Sequence, residues 1–239
     1  MSRVLVLAGG SPHAHDFDSS GAAVADVISA LGHDVEIRNH PDAAAARLDE
    51  ASEGSAAPID AFVLLGLWWR MTGDAYHAWR DDYAYSTPAA TRQAFTSFVG
   101  GGGGLMAMHT ATICFDDWPE WADVVGGGWR WGVSSHPPFG HVNARIVAAD
   151  HPVVKGVPRV LELDDEVYGD LDISDGVEVL AVARRHETDD EQPVMWAHRF
   201  NAGRVVFDGF GHDVVSIRQP AHSRIIEQAV TWILRSECA

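Results

Sequence analysis

A histidine stands where hydrolases place a nucleophile. In Gly101-Gly-Gly-Gly-Leu105-Met-Ala-Met-His109-Thr-Ala111 a buried strand runs into a sharp turn, and the residues two before and two after His109 are both small, Ala107 and Ala111. That spacing is the nucleophile elbow, where bulk at either flank clashes with the tight backbone. Hydrolases centre it on Ser or Cys. An imidazole there acts as base, acid or metal ligand, but it is a poor acyl carrier. The pattern predicts a fold of the Cys-dependent type with different chemistry; a hydrogen-bonded core histidine is the plainer alternative. Cys114, inside or near the helix expected after the elbow, is not placed to act as a displaced nucleophile.

Other polar residues follow apolar runs in the same way. His13, His15 and Asp16 come after 4–8, Trp68, Trp69 and Arg70 after 59–65, and Asp164, Asp165, Glu166 and Tyr168 after 160–163. His212 and Asp213 come after 204–207. Open parallel sheets bind ligands at the carboxyl ends of their strands. If these strands are parallel neighbours, the residues converge on one cleft. Three adjacent carboxylates, Asp164 to Glu166, repel one another and raise at least one pKa where buried; on a surface they are only a solvated loop. His212 lies in Gly209-Phe-Gly-His-Asp213, a glycine turn that leaves room for a ligand or is simply capped by the imidazole. His13-x-His15 has a chelating spacing that loops also show. Gly126-Gly-Gly-Trp-Arg-Trp-Gly-Val-Ser-Ser-His136-Pro-Pro138 lacks GxxxxGK[ST], so it is not a P-loop. Trp129 and Trp131 suit stacking on a sugar face with Arg130 and His136 bonding hydroxyls, or they pack the loop onto the domain.

The elements that must position these groups read as alternating strand and helix. Continuous apolar runs at 4–8, 59–65 and 105–108 predict buried parallel strands, and 33–38 alternates like another. Helices are expected at 20–31, stopped by Gly32, at 43–51, and after Thr87-Pro88 as N-cap and first helical residue, ending at Gly100. Further strands are expected at 142–148, 160–163, 177–183, 194–198 and 204–207, and Pro220 opens a terminal helix that buries Ile225, Ile226, Ala229, Val230 and Ile233. The fold class is α/β: a doubly wound, mostly parallel sheet with additional β-strands in the second half. Nothing repeats and 185–192 reads as a polar loop, so one domain over 1–239 is expected.

Length and charge bound the partners. At 239 residues the chain can bury a substantial core. A net charge of −17 disfavours nucleic acid and anionic membrane, which need a basic footprint. The two cysteines, Cys114 and Cys238, give neither a disulfide framework nor a zinc-finger spacing. The apolar run at 4–8 is too short for a signal sequence and no stretch approaches the ~20 apolar residues of a membrane helix, so a cytoplasmic protein is expected. Acidity with aromatic loops is compatible with a homo-oligomer.

The ordered motifs resemble the ThuA-like (trehalose utilisation) family within the class I glutamine amidotransferase-like superfamily. The landmarks are Gly9-Gly10 with His15-Asp16-Phe17, Gly102 through His109, Gly126-Gly127 with Ser135-His136-Pro137, and Asp150-His-Pro152 with Gly156. Asp165-Glu166 with Tyr168, Pro193-Val-Met-Trp196, Gly203-Arg-Val-Val-Phe, Gly209 and Gly211-His212 complete them. The resemblance implies a flavodoxin-like sheet and a part in bacterial catabolism of trehalose or related sugars. Amidotransferases of this superfamily carry Cys at the elbow and a late His with Glu. Here His109 replaces the Cys, His212 falls near the late His, and Asp213 stands where a Glu at another spacing is usual, which argues against glutamine hydrolysis. The segment 69–85 is a long insert rich in Asp, Tyr and Trp, suited to reshaping specificity.

The functional expectation is acid–base chemistry on a carbohydrate or keto-sugar: isomerisation next to a carbonyl, or cleavage of an oxidised glycoside. His109 and His212 form the proton-transfer pair, with Glu166 orienting an imidazole or acting as a second base. His15, Asp16, Trp68, Trp69, Arg130, His136 and Tyr168 contact the sugar. His109, Glu166 and His212, joined by His15 or His136, also offer the N and O ligands that zinc or manganese accepts. Two rival readings are a non-catalytic sugar-binding or regulatory module on a degenerate amidotransferase fold, and a subunit that serves a partner oxidoreductase.

Overall fold

The apolar runs become the middle of one sheet. In chain order the elements are β1 (Arg3–Gly10), α1 (Phe17–Ala30), β2 (Asp34–Arg38), α2 (Pro41–Ser52), β3 (Ala61–Leu67), α3 (Arg80–Tyr83), α4 (Ala89–Gly100), β4 (Gly104–Met108), α5 (Trp121–Val125) and β5 (Gly127–Gly128). They continue with β6 (Gly140–Ile146), β7 (Val160–Asp165), β8 (Asp172–Ile173), β9 (Glu178–Ala183), β10 (Gln192–Phe200), β11 (Gly203–Asp208), α6 (Val214–Arg218) and α7 (Pro220–Ile233). This computed structural model describes residues 1–13 and 15–235, so Cys238 lies outside the described residues. Among them no helix is long and apolar enough to cross a membrane.

The main sheet has nine strands in the order β2-β1-β3-β4-β11-β10-β9-β6-β7. The first five are parallel, in the flavodoxin-like order with its switch point between β1 and β3. β3 and β4 are buried along their whole length because helices cover both faces. On one face α1 and α7 bring Val24, Ile28, Ile225 and Ile226 onto Val6, Val63 and Met106. On the other, α2, α4 and α5 bring Leu48, Phe95 and Trp121 onto Leu5, Phe62 and Leu105.

The remaining four strands pair antiparallel. Their directions alternate, so β7 points the same way as the parallel half, and its last residue, Asp165, emerges on the same edge as the ends of β1, β3, β4 and β11. β6 and β7 alternate buried and exposed residues, as strands with one wet face do. An irregular register in β10, around Pro193 to Trp196, adds bend. That curl returns β7 towards the sheet centre: Asp165 accepts a hydrogen bond from the Gly211 N–H at 2.8 Å.

Two local expectations are corrected. Thr87 is not an N-cap. Pro88 occupies the cap position and Thr87 turns to Asp117, donating its N–H at 3.0 Å and its hydroxyl at 2.8 Å. The elbow opens into a single 3-10 turn, His109–Thr112, not a long helix. The short helices α3, α5 and α6 carry too few apolar repeats to stand out in the sequence.

Gly10 shows how close the strand ends lie. Its φ is +115°, and a Cβ there would meet the Leu67 carbonyl oxygen at 2.2 Å. Gly10→Ala is expected to cost about 3 kcal/mol through backbone strain and overpacking. Urea denaturation would show a lower midpoint with an unchanged slope.

Candidate active site

The elbow is present in the backbone. His109 has φ +48°, in the left-handed region, and Ala107 and Ala111 on either side are fully buried. Such a conformation costs on the order of 1–3 kcal/mol in a non-glycine residue and persists only where its surroundings enforce it. The turn points the imidazole back over the sheet edge, where it is fully buried.

Four side chains meet there. One donor atom from each of His15, His109, Glu166 and His212 lies within 4.8 Å of the others. His15 Nε2 faces His109 Nε2 at 3.0 Å. Glu166 Oε2 is 3.7 Å from His109 Nε2 and 3.6 Å from His212 Nδ1. His15 comes from the loop after β1, His109 from the end of β4, Glu166 from the end of β7 and His212 from the loop after β11. Parallel topology and the curl of the far half are both needed to bring them together.

The protonation pattern follows from the partners. His109 Nδ1 lies 3.2 Å from the Gly209 carbonyl oxygen, which only accepts, so Nδ1 carries the proton and the Nε2 lone pair faces the cluster. Burial pushes the His109 pKa down to about 4, against the pull of Glu166. Burial, with His109 and His212 beside it, pushes His15 down to about 3. Burial alone would raise Glu166, but the surrounding imidazoles outweigh it and hold the carboxylate ionised, at about 2. Burial also works against charge on His212, yet Glu166 raises its pKa. Glu166 Oε2, His212 Nδ1 and His15 Nδ1 are buried with no hydrogen-bond partner among the described residues. The first two face each other across 3.6 Å, and buried polar atoms left without partners call for a ligand.

Above the cluster opens a cleft of about 210 Å³. Its walls are Trp69, Tyr76, Trp79, Trp129 and Trp131, and His15, His136, Glu166 and Tyr168 line it too. Trp69 and Tyr76 meet edge to face at 5.3 Å, and His13 stacks on Trp79 at 4.2 Å, so the 69–85 insert supplies one wall. Tyr168 Oη is 3.4 Å from His109 Nε2, and His136 Nδ1 is 3.4 Å from Glu166 Oε1.

Several residues expected at the site lie elsewhere. Trp68 is turned into the opposite core, with Phe115 and Trp118 in its cluster, because consecutive strand residues face opposite ways. Asp16 is the N-cap of α1, accepting from the Ser19 N–H at 3.0 Å and the Ser19 hydroxyl at 2.7 Å. Arg130 donates to the Asp170 carbonyl at 3.0 Å and lines a separate hollow. Cys114 is buried, its thiol is 3.0 Å from the Gly66 carbonyl oxygen and burial raises its pKa to about 12, so it has no nucleophilic character.

Of the site's main supports the sequence singles out Asp165 only as one carboxylate of an acidic run, and Asp208, Ser216 and His222 not at all. Asp165 accepts hydrogen bonds from the Glu166 N–H at 2.8 Å, the Gly211 N–H at 2.8 Å, the His212 N–H at 3.3 Å and the Ser216 hydroxyl. One carboxylate thus fixes the backbones of two cluster residues. Its signal was the two-residue period of Leu161, Leu163 and Asp165, all inward. Behind it, His222 Nε2 lies 3.0 Å from Asp208 Oδ2 and His222 Nδ1 2.8 Å from the Ser216 carbonyl oxygen. Asp208 and His222 are fully buried.

The ThuA (trehalose utilisation) family model matches residues 3–233. The chain belongs to the ThuA family. In structure this ThuA-family chain is similar to a ThuA-like protein from Parabacteroides merdae, with TM-score 0.74 and 18% identity over 98% of this chain and 90% of that one. It is also similar to a cytoplasmic protein from Salmonella typhimurium, with TM-score 0.65 and 13% identity over 98% and 99% of the two chains. A β-galactosidase from Rahnella sp. R3 shares the fold at TM-score 0.59 and 12% identity, with 99% of this chain covering 32% of that one. No curated protein matches in sequence.

The buried pair yields a test. Burial opposes charge on His222, but Asp208 outweighs it and the pKa is raised above 6.5. A raised pKa stabilises fully below the unfolded value and fades as pH climbs through the folded one. His222→Leu, which strands Asp208, should lose about 3 kcal/mol at pH 6. The gap to wild type in urea denaturation should narrow as the pH rises above that range.

Proposed function

We propose that this chain is a carbohydrate-transforming enzyme that works by acid–base chemistry with the help of a divalent cation. The observation that carries the reading is the convergence of three imidazoles and one carboxylate, donor atoms within 4.8 Å, at the base of an aromatic cleft. Tetrahedral ligands with bonds of about 2.0–2.1 Å stand about 3.3 Å apart. The separations of 3.0, 3.6 and 3.7 Å bracket that value. The donor set suits zinc or manganese, and the hydrogen bond from His109 to the Gly209 carbonyl is the support that ligating histidines commonly have. A cation bound there would polarise a carbonyl or hydroxyl oxygen of the sugar and lower the pKa of a bound water.

This reading shifts the roles of the histidines. His109 is fully buried beneath His15 and Tyr168, so it is better suited to hold a cation than to reach a substrate. The proton-transfer group open to the cleft is His136, whose Nδ1 sits 3.4 Å from Glu166 Oε1. Trp129 and Trp131 offer faces for a sugar ring, and the buried indole N–H of Trp69 has no partner among the described residues to give up. The family description supports trehalose or a related disaccharide or keto-sugar as substrate. Isomerisation beside a carbonyl and cleavage of an oxidised glycoside are both within reach of such a site. Glutamine hydrolysis is not, since the elbow carries His109 and Cys114 is tied to Gly66.

Two measurements test the reading. Protein purified without an affinity tag should contain close to one divalent cation per chain by elemental analysis, and a chelator should lower its melting temperature; a clearly sub-stoichiometric content would remove the cation from the proposal. Incubation with disaccharides and their 3-keto forms, followed by NMR, should show product with the wild type. His109→Asn, which tolerates a left-handed backbone, should lose at least about 100-fold in rate while still folding. Full activity in that variant would end the assignment.

A further inference from the structure

Arg130 marks a second hollow beside the cleft. This hollow measures about 270 Å³ and shares Ile113, Trp129 and Trp131 with the first. The dividing wall is a pair of indoles meeting edge-on, centroids 6.4 Å apart, and Trp131 is 49% exposed. On the cleft side Trp129 lies 5.4 Å from Tyr168, which lies 5.1 Å from His109. A run of rings therefore leads from the donor cluster to the second hollow.

The second hollow carries its own polar equipment. The Arg130 guanidinium is oriented by donating from Nε to the Asp170 carbonyl at 3.0 Å, and among the described residues nothing takes its two terminal nitrogens. Asp172, held on β8, also lines the hollow, while Asp116 is already bonded to Arg70. A free guanidinium, a free carboxylate and an indole face are the donors, acceptor and platform that ring hydroxyls need. The carboxylates and the net charge of −17 disfavour an anionic occupant. Neither hollow alone reaches the ~300 Å³ at which pockets for larger ligands begin, whereas the two joined do.

We infer that the hollow at Arg130 and Asp172 is a subsite for the second ring of a two-ring carbohydrate whose first ring sits over the donor cluster. The inference rests on the carbohydrate reading above. It makes Arg130 and Asp172 determinants of substrate length, separate from the groups that do the chemistry.

Calorimetric titration with glucose, trehalose and maltose tests it, using wild type, Arg130→Ala and Asp172→Asn. Both positions are exposed, and glucose affinity serves as the check on folding. The wild type should bind at least one disaccharide 10-fold or more tighter than glucose. Each variant should bring that disaccharide close to the glucose value and leave glucose unchanged. Equal affinity of the wild type for one and two rings would overturn the subsite and leave the carbohydrate reading standing, as would variants that weaken all sugars alike or none. Failure of the wild type to bind any of the three would overturn the subsite, and the carbohydrate reading would then stand or fall on the incubation with 3-keto sugars.

Discussion

The buried carboxylate of Asp165 holds the two halves of the molecule in a working relation. The parallel half places His15, His109 and His212 at one edge by topology alone, but Glu166 arrives on a strand four places away in the sheet order. Only the curl of the antiparallel half brings it back, and Asp165 secures that curl by accepting from Gly211, His212 and Ser216. Burial of such a group is costly unless its lone pairs are satisfied, so its donors must stay in place. Position of the cluster and stability of the fold are here the same set of hydrogen bonds.

The cluster itself is electrostatically incomplete. Burial keeps His15 and His109 neutral, Glu166 remains ionised, and Glu166 Oε2 and His212 Nδ1 face each other with no hydrogen-bond partner among the described residues. Ionic groups are rarely assembled like this without something to answer them. A positive centre shared by lone pairs is the simplest answer, and it fits the burial of His109 better than direct contact with substrate does.

Much of this was legible in the chain. The apolar runs, the small residues flanking His109 and the glycines before His212 marked strand ends and the groups placed on them, and these reached one locus. Less legible were residues whose role depends on which way a side chain turns. Trp68 and Trp69 are adjacent, yet one enters the core and the other the cleft. Asp16 reads as a ligand beside His15 but serves the first turn of α1. Asp208 and His222 could not be paired from a sequence, because their meeting depends on how α7 docks against β11. Arg130 and His136 share one glycine-rich tract but face different hollows, since the loop folds over Trp129.

The pairing of β6 with β7 sets a limit on how this chain can vary. Gly140 opposes Asp165 and Val142 opposes Leu163, so inward and outward positions alternate strictly along the hairpin. A one-residue slip would trade Asp165 for its exposed neighbour Asp164 and carry Glu166 to the wrong side of the sheet. Insertions or deletions within β6 or β7 are therefore far more damaging than changes in the connection at 147–159, which does not set that register. The connection is itself part of the core: Val153 and Val154 are buried there, and the Pro152 carbonyl accepts from Gln228.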